Sequence, residues 1–262
     1  MTKTFVFDAY GTLFDVQSIG SATEEAFPGY GHYITQIWRM KQLEYSWLTT
    51  LMGRNEDFWT ITLDALEYTL KTLGLKLPPQ RLETLAATFN ELSDYEDAET
   101  CLTQLATHRL AILSNGTKNM LTKLVGNSAL NNHLHHILSV EESKVFKPDP
   151  RAYQLIIDRL AATREEVIFV SSNGFDIAGA KSFGFTVVRV ERVSSEHLTR
   201  DLVNAAAVNF GPTEIFKAMR TQEEQLQLKP DFTIPNLASL PKLFSEPSVP
   251  IEGPEALDQS GN

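Results

Sequence analysis

The chain has 262 residues but only one cysteine, Cys101, which excludes both a disulfide framework and a thiolate metal cluster. Runs of Lys and Arg are also missing, and the net charge is −10. Such a surface would repel phosphate backbones and anionic membranes, so neither nucleic acid nor a membrane is expected as a partner. An anionic substrate would have to be drawn in by a local positive site. No apolar run approaches the length that crosses a bilayer. The first strand-like run begins almost at Met1 and leaves no room for a signal peptide. Gly-x-Gly fingerprints and a Walker loop are absent, which removes a nucleotide site. These absences together predict a soluble, cytoplasmic protein.

What is present is ordinary in bulk and specific in detail. The hydrophobic fraction is 42% and the charged fraction 21%, typical of a globular chain long enough for one large domain, or one domain with an insertion. Phe5-Val-Phe7 is an apolar run of the kind a buried parallel strand carries, ended by Asp8 and a Gly11-Thr12 turn. An acid at the end of such a strand lies on the rim where open α/β sheets bind ligands. The plainer reading is that Asp8 caps a turn.

After Phe14 the period turns helical and stays so to about Tyr95. Ile34, Ile37, Trp38, Tyr45, Leu48, Leu51 and Met52 fall on one predicted helical face. Trp59, Leu63, Leu66, Leu70 and Leu73 mark a second helix capped by Gly74, and Pro78-Pro79 opens a third carrying Leu82, Leu85, Ala86, Phe89 and Leu92. From Asp97 helices and strands alternate, which predicts a parallel sheet covered by helices. The strands are Leu110–Ser114, Ile137–Val140, Val167–Ser171, Phe185–Val190 and an edge strand at Asp231–Pro235. The helices between them are Lys118–Val125 ended by Gly126, Asp149 to about Leu160, and Asp176–Phe183; Thr163–Glu166 is a possible capping box. Residues 195–228 read as a second, polar helical excursion with Glu223 and Glu224 on a solvated face, and 246–262 as a disordered tail. Cys101, among Ala98, Leu102 and Leu105 at helical spacing, is expected to be a buried, inert thiol. His133, His135 and His136 read as a surface turn, since no further ligands accompany them.

Parallel strands share one C-terminal rim. On it fall Asp8; Ser114 and Asn115; Ser171, Ser172 and Asn173; and Asp176, with Lys147 on the Val-Phe-Lys-Pro-Asp-Pro loop. Asp8-x-x-Gly11-Thr12-Leu13, Ser114-Asn115-Gly116, Lys147-Pro148 and Ser171-Ser172-Asn173-Gly174-Phe175-Asp176 together resemble the four ordered motifs of the haloacid dehalogenase superfamily. Within it the chain resembles the L-2-haloacid dehalogenases, through Trp38-Arg39-Met40-Lys41-Gln42-Leu43-Glu44-Tyr45 as well. The resemblance implies an α/β fold: a Rossmann-like parallel-sheet core of residues 1–16 and 97–245, with an inserted helical-bundle cap of residues 17–96. It also implies a homodimer.

The superfamily's phosphatases place a second Asp two residues after the nucleophile, to protonate an alkoxide, and an acidic pair in the last motif, to hold Mg²⁺. Here those positions carry Tyr10, a poor acid near neutrality, and Ser171, Ser172 and Asn173. Halide leaves as a stable anion and needs neither device, so carbon–halogen cleavage without metal or cofactor is expected. A phosphatase of the same fold, or a retired member serving as a binding protein, is the alternative. In the expected reaction Asp8 attacks the halogen-bearing carbon to form an ester, kept ionised by Lys147 and oriented by Thr12. Asp176 with Asn173 would activate water for the second step, and Ser171 would hold Lys147 or that water. Ser114, Lys147 and backbone N–H groups near Gly11 would take the substrate carboxylate. The resemblance further implies a halide cradle of Arg39, Asn115 and Phe175, a functional role for Tyr153, and pocket walls from Tyr10, Leu43 and Phe58.

Overall fold

β1 (Thr4–Phe7) is the strand on which the other elements are hung, and every residue of it is buried. In the computed structural model, which describes residues 2–193, 200 and 223–244, β1 lies between two parallel neighbours. These are β2 (Arg109–Ser114) and β4 (Val167–Ser171). With β3 (His136–Ser139), β5 (Thr186–Val190) and β6 (Phe232–Ile234) they form a sheet of order β3-β2-β1-β4-β5-β6. All pairings are parallel. A strand buried on both faces can be apolar throughout, which is why Phe5, Val6 and Phe7 show no alternation.

Register decides what reaches the rim. Phe7 pairs with Ile112 on one side and with Val170 on the other. The next residues, Asp8, Leu113 and Ser171, therefore arrive at one level, and the Asp8 N–H donates to the Val170 carbonyl at 2.9 Å. The connecting helices are α5 (Ala98–Gln104), α6 (Lys118–Gly126), α7 (Pro150–Leu160) and α8 (Gly174–Phe183). Asp149 caps α7 through the Arg151 N–H, and the Thr163–Glu166 capping box closes a 3₁₀ turn just before β4. Gly126 departs from expectation: it is the last residue of α6 rather than a cap beyond it. Cys101 is buried against this core, and burial pushes its thiol up to about 12. His135 accepts from the Leu110 N–H and His133 lies 3.6 Å from Glu99. Among the described residues no three His, Cys, Asp or Glu side chains gather as a metal site.

Between β1 and β2 the chain is helical, as expected. It forms α1 (Gly20–Ala26), α2 (Gly31–Leu51), α3 (Phe58–Thr72) and α4 (Pro79–Ala86), with 3₁₀ turns at Val16–Ile19 and Ala87–Asn90. The buried face of α2 differs from the expected one. Ile34 and Trp38 are buried, but Leu48, Leu51 and Met52 are exposed, and the inward stripe continues as Thr35, Arg39, Gln42, Leu43, Ser46 and Thr49. The physical reason is that α2 packs over a polar rim, so its inner side is selected for hydrogen bonding and its apolar residues fall outside. Gly74, at φ +70, ends α3 in the left-handed region as expected. Most of the proposed second excursion and the tail lie outside the described residues. Of that excursion, Arg200 is described as helical and 223–228 as irregular, and Glu223 bonds Arg189 at 3.1 Å. No described helix is long and apolar enough to cross a membrane.

Candidate active site

Three rim segments and one loop converge on Asp8, which is buried although it ends a strand. Its Oδ1 accepts from Lys147 Nζ at 2.8 Å; its Oδ2 accepts from Thr12 Oγ1 at 3.0 Å and Asn173 Nδ2 at 2.5 Å. A carboxylate offers about four lone-pair positions, so three donors leave one, on Oδ1, and Asp8 lines the cavity. Lys147 is buried as well. Its ammonium also donates to the Leu113 carbonyl at 3.0 Å and to Asp176 Oδ2 at 2.7 Å. Burial by itself would push this ammonium down, but the two flanking carboxylates outweigh it and hold the lysine above its ordinary value. Asp176 is buried between Lys147 and Tyr153, whose hydroxyl donates to Asp176 Oδ1 at 2.7 Å. Burial pushes Asp176 up to about 6, with Lys147 opposing and the charge of Asp8 reinforcing.

In front of Asp8 is a cavity of about 10 Å³, room for about one water molecule. Its polar lining is Arg39, Ser114, Asn115, Lys147 and Asn173; its apolar lining is Tyr10, Leu43, Phe58 and Phe175. All of these are among the residues the sequence singles out. Arg39 reaches in from α2, its guanidinium 5.8 Å from the centre of the Tyr10 ring. Asn115 Oδ1 accepts from the Lys147 N–H at 3.0 Å and so fastens the lysine loop to the β2 rim. Phe175 is half-buried and packs edge-on against Trp47. Tyr10 stacks beside Phe58, and its buried hydroxyl has no hydrogen-bond partner. Burial, then the charge of Asp8, raises that phenol despite Arg39, which makes it no source of protons.

Four expected roles meet a different geometry. The Gly11 N–H donates to the Phe14 carbonyl and the Thr12 N–H to Ala9, so these amides close the turn, at φ +87 for Gly11, and are not offered to a substrate. Ser171 Oγ accepts from the Asn173 N–H at 3.1 Å and shapes the entry to α8; the three N–H groups of Lys147 are spent elsewhere. Tyr153 stands behind Asp176 and does not line the cavity. Both oxygens of Asp176 are engaged, so it has no free edge towards a water in front of Asp8, and Asn173 is committed to Asp8 and to the Tyr10 carbonyl.

Two supports were not legible from motif spacing. Gln42, buried on α2, accepts from Arg39 at 2.5 Å and donates to Thr62 Oγ1 at 2.7 Å. Gly179, in mid-helix, lets Tyr153 and Pro148 approach so closely that a Cβ would fall 2.6 Å from the Pro148 Cβ and overlap the Tyr153 hydroxyl. An isolated glycine inside a helical pattern is the signal that could have found it. The donor set does not suit a hard divalent ion: the Lys147 ammonium lies between the two carboxylates, and the remaining groups are an amide and hydroxyls.

A family model described as haloacid dehalogenase-like hydrolase matches residues 2–184. The (S)-2-haloacid dehalogenase of Xanthobacter autotrophicus is 53% identical over 243 residues, covering 93% of this chain and 95% of that protein. That of Pseudomonas putida known as H-109 is 44% identical over 189 residues, covering 71% and 84%. The structure of the Xanthobacter L-2-haloacid dehalogenase with chloropropionic acid covalently bound superposes with a TM-score of 0.89 at 52% identity, covering 93% of this chain and 98% of that one.

Proposed function

The chain belongs to the haloacid dehalogenase-like hydrolase family, and we propose from its site how it cleaves a carbon–halogen bond. It is an (S)-2-haloacid dehalogenase, a hydrolase that converts L-2-haloalkanoic acids to D-2-hydroxyalkanoic acids through an ester on the enzyme. The observation that carries the assignment to Asp8 is its geometry: a buried carboxylate that lines a small cavity, with one lone-pair position open and the others held by donors.

In the first step Asp8 Oδ1 attacks the α-carbon, the carbon–halogen bond breaks, and the configuration inverts. Ser114 takes the substrate carboxylate, with the positive charge of Lys147 nearby, while Arg39, Asn115 and the edge of Phe175 receive the departing halide. Tyr10, Leu43 and Phe58 exclude water, which strengthens each of these contacts. In the second step water attacks the ester carbonyl carbon. Negative charge then develops on Oδ2, where Thr12 and Asn173 already point their hydrogens. The water's proton passes by way of Lys147 to Asp176, the group that burial has made basic enough to take it. The bond from the Asp8 carbonyl carbon to the ester oxygen breaks, and the leaving alkoxide takes back the proton held by Asp176 by way of Lys147. The second water proton is lost from Asp8 to solvent, and the hydroxy acid leaves with the oxygen that Asp8 brought.

Residues 17–96 act as a cap over the core of 1–16 and 97–245. The exposed apolar residues of α2, Leu48, Leu51 and Met52, support a homodimer, checked by light scattering on Leu51→Glu. The single buried cysteine fits a reducing cytoplasm.

One assay tests the reaction: halide release from short-chain L-2-chloropropionate, with and without chelator. Equal rates in both arms are expected, and loss of activity in chelator would restore the phosphatase reading. Single turnover in ¹⁸O-water should give a first product without label; label at once would mean direct attack by water.

A further inference from the structure

The loop that carries the nucleophile is gripped from behind by a side chain outside all four motifs. Arg192, two residues past β5, donates through Nη2 to the Thr12 carbonyl at 2.5 Å and through Nη1 to both Asp97 oxygens at 2.8 Å. Its guanidinium lies 3.7 Å over the ring of Tyr95. Tyr95 in turn donates its N–H to the Leu13 carbonyl and its hydroxyl to Asp15 Oδ1. Asp97 also accepts from the Leu237 N–H at 2.7 Å. Arg192 and Tyr95 thus clasp the 12–15 turn at three points, and Asp97 anchors the clasp to the segment after β6.

Thr12 is where this clasp meets the reacting group. Its hydroxyl donates to Asp8 Oδ2 and accepts from the Ser172 N–H at 3.0 Å, so a shift of its peptide moves one of the two donors that fix Oδ2. We propose that Arg192 is a positioning residue for the nucleophile: held by Asp97 and Tyr95, it fixes the Thr12 peptide and through it the aim of the Asp8 carboxylate. A planar fork that serves Asp97 and Thr12 at once is a task for arginine; a lysine, as a point charge, cannot reproduce it. The inference rests on the reading of Asp8 as nucleophile.

The test uses the full-length enzyme with L-2-chloropropionate. In Arg192→Met, kcat should fall about tenfold or more with KM within about twofold, because the residues lining the cavity are untouched. Rapid-quench measurement should place the loss in ester formation. Guanidinium at non-denaturing concentration should restore part of the Met variant's kcat, and Arg192→Lys should stay impaired. Asp97→Asn, which keeps shape and leaves the arginine in place, should shift kcat the same way and serves if the Met variant fails to fold. The proposal is overturned if folded variants keep kcat within about twofold of the parent, or if kcat and KM fail together without guanidinium rescue. An unmodified enzyme that releases no halide would instead refute the reading of Asp8.

Discussion

The Lys147 ammonium lies 2.8 Å from the Asp8 carboxylate although 139 residues separate the two in sequence, and both are buried. Removing the lysine leaves Asp8 and Asp176 as two buried carboxylates with no cation between them. Lys147→Met is therefore expected to cost about 3–5 kcal/mol of stability, read by denaturant unfolding, and to abolish turnover. Asp8→Asn should keep the fold and lose activity. Residual turnover within about tenfold of the parent, about 1.4 kcal/mol of barrier, would exclude Asp8 as nucleophile.

The pH dependence follows from Asp176. Burial holds it up to about 6, so below that pH it is already protonated and can accept nothing from water. Above about 6 it is ionised and competent. The hydrolytic rate measured in single turnover should fall about tenfold per unit below pH 6 and level off above it. A flat profile down to pH 4.5 would remove Asp176 from the proton path.

Gly179→Ala tests whether Tyr153 acts through Asp176. The new methyl group would collide with the Tyr153 hydroxyl and with Pro148. The expected result is a loss of about 1–3 kcal/mol from overpacking, together with a drop in kcat larger than any change in KM. Stability and kinetics on the same preparation decide it, and unchanged kcat would leave Tyr153 a packing residue.

Tyr10→Phe makes the opposite forecast. The phenol oxygen is buried without a partner, so its removal should leave stability unchanged or raise it by about 1 kcal/mol. Thermal unfolding reads this directly. Turnover should persist, since the hydroxyl of Tyr10 donates no proton in the reaction; loss of turnover would give it a role.

What the sequence made legible was what strand ends and turns dictate. The apolar run before Asp8 has the pattern of a doubly covered strand, and parallel pairing brings the polar residues after Leu113 and Val170 to its rim. Leu48, Leu51 and Met52 follow helical spacing as well as Thr35, Arg39 and Gln42 do, so spacing alone picks the outer face of α2. Periodicity finds a stripe, but cannot tell that the helix faces a polar floor. The motifs point Ser171 to Lys147 or the water and the Gly11 amide to substrate, because a motif does not reveal which hydrogens the turn itself consumes. Gln42 and Arg192 act through a second residue, which leaves no mark in spacing.

The central position of β1 also bears on how the chain comes together. Its partners begin at Arg109 and Val167, so β1 is flanked on both sides only after about 160 further residues have been synthesised. Contacts of such long sequence separation are slow to form. Until they do, Phe5, Val6 and Phe7 are a sticky open edge, and Asp8, set directly behind them, keeps one charge beside that edge during the wait.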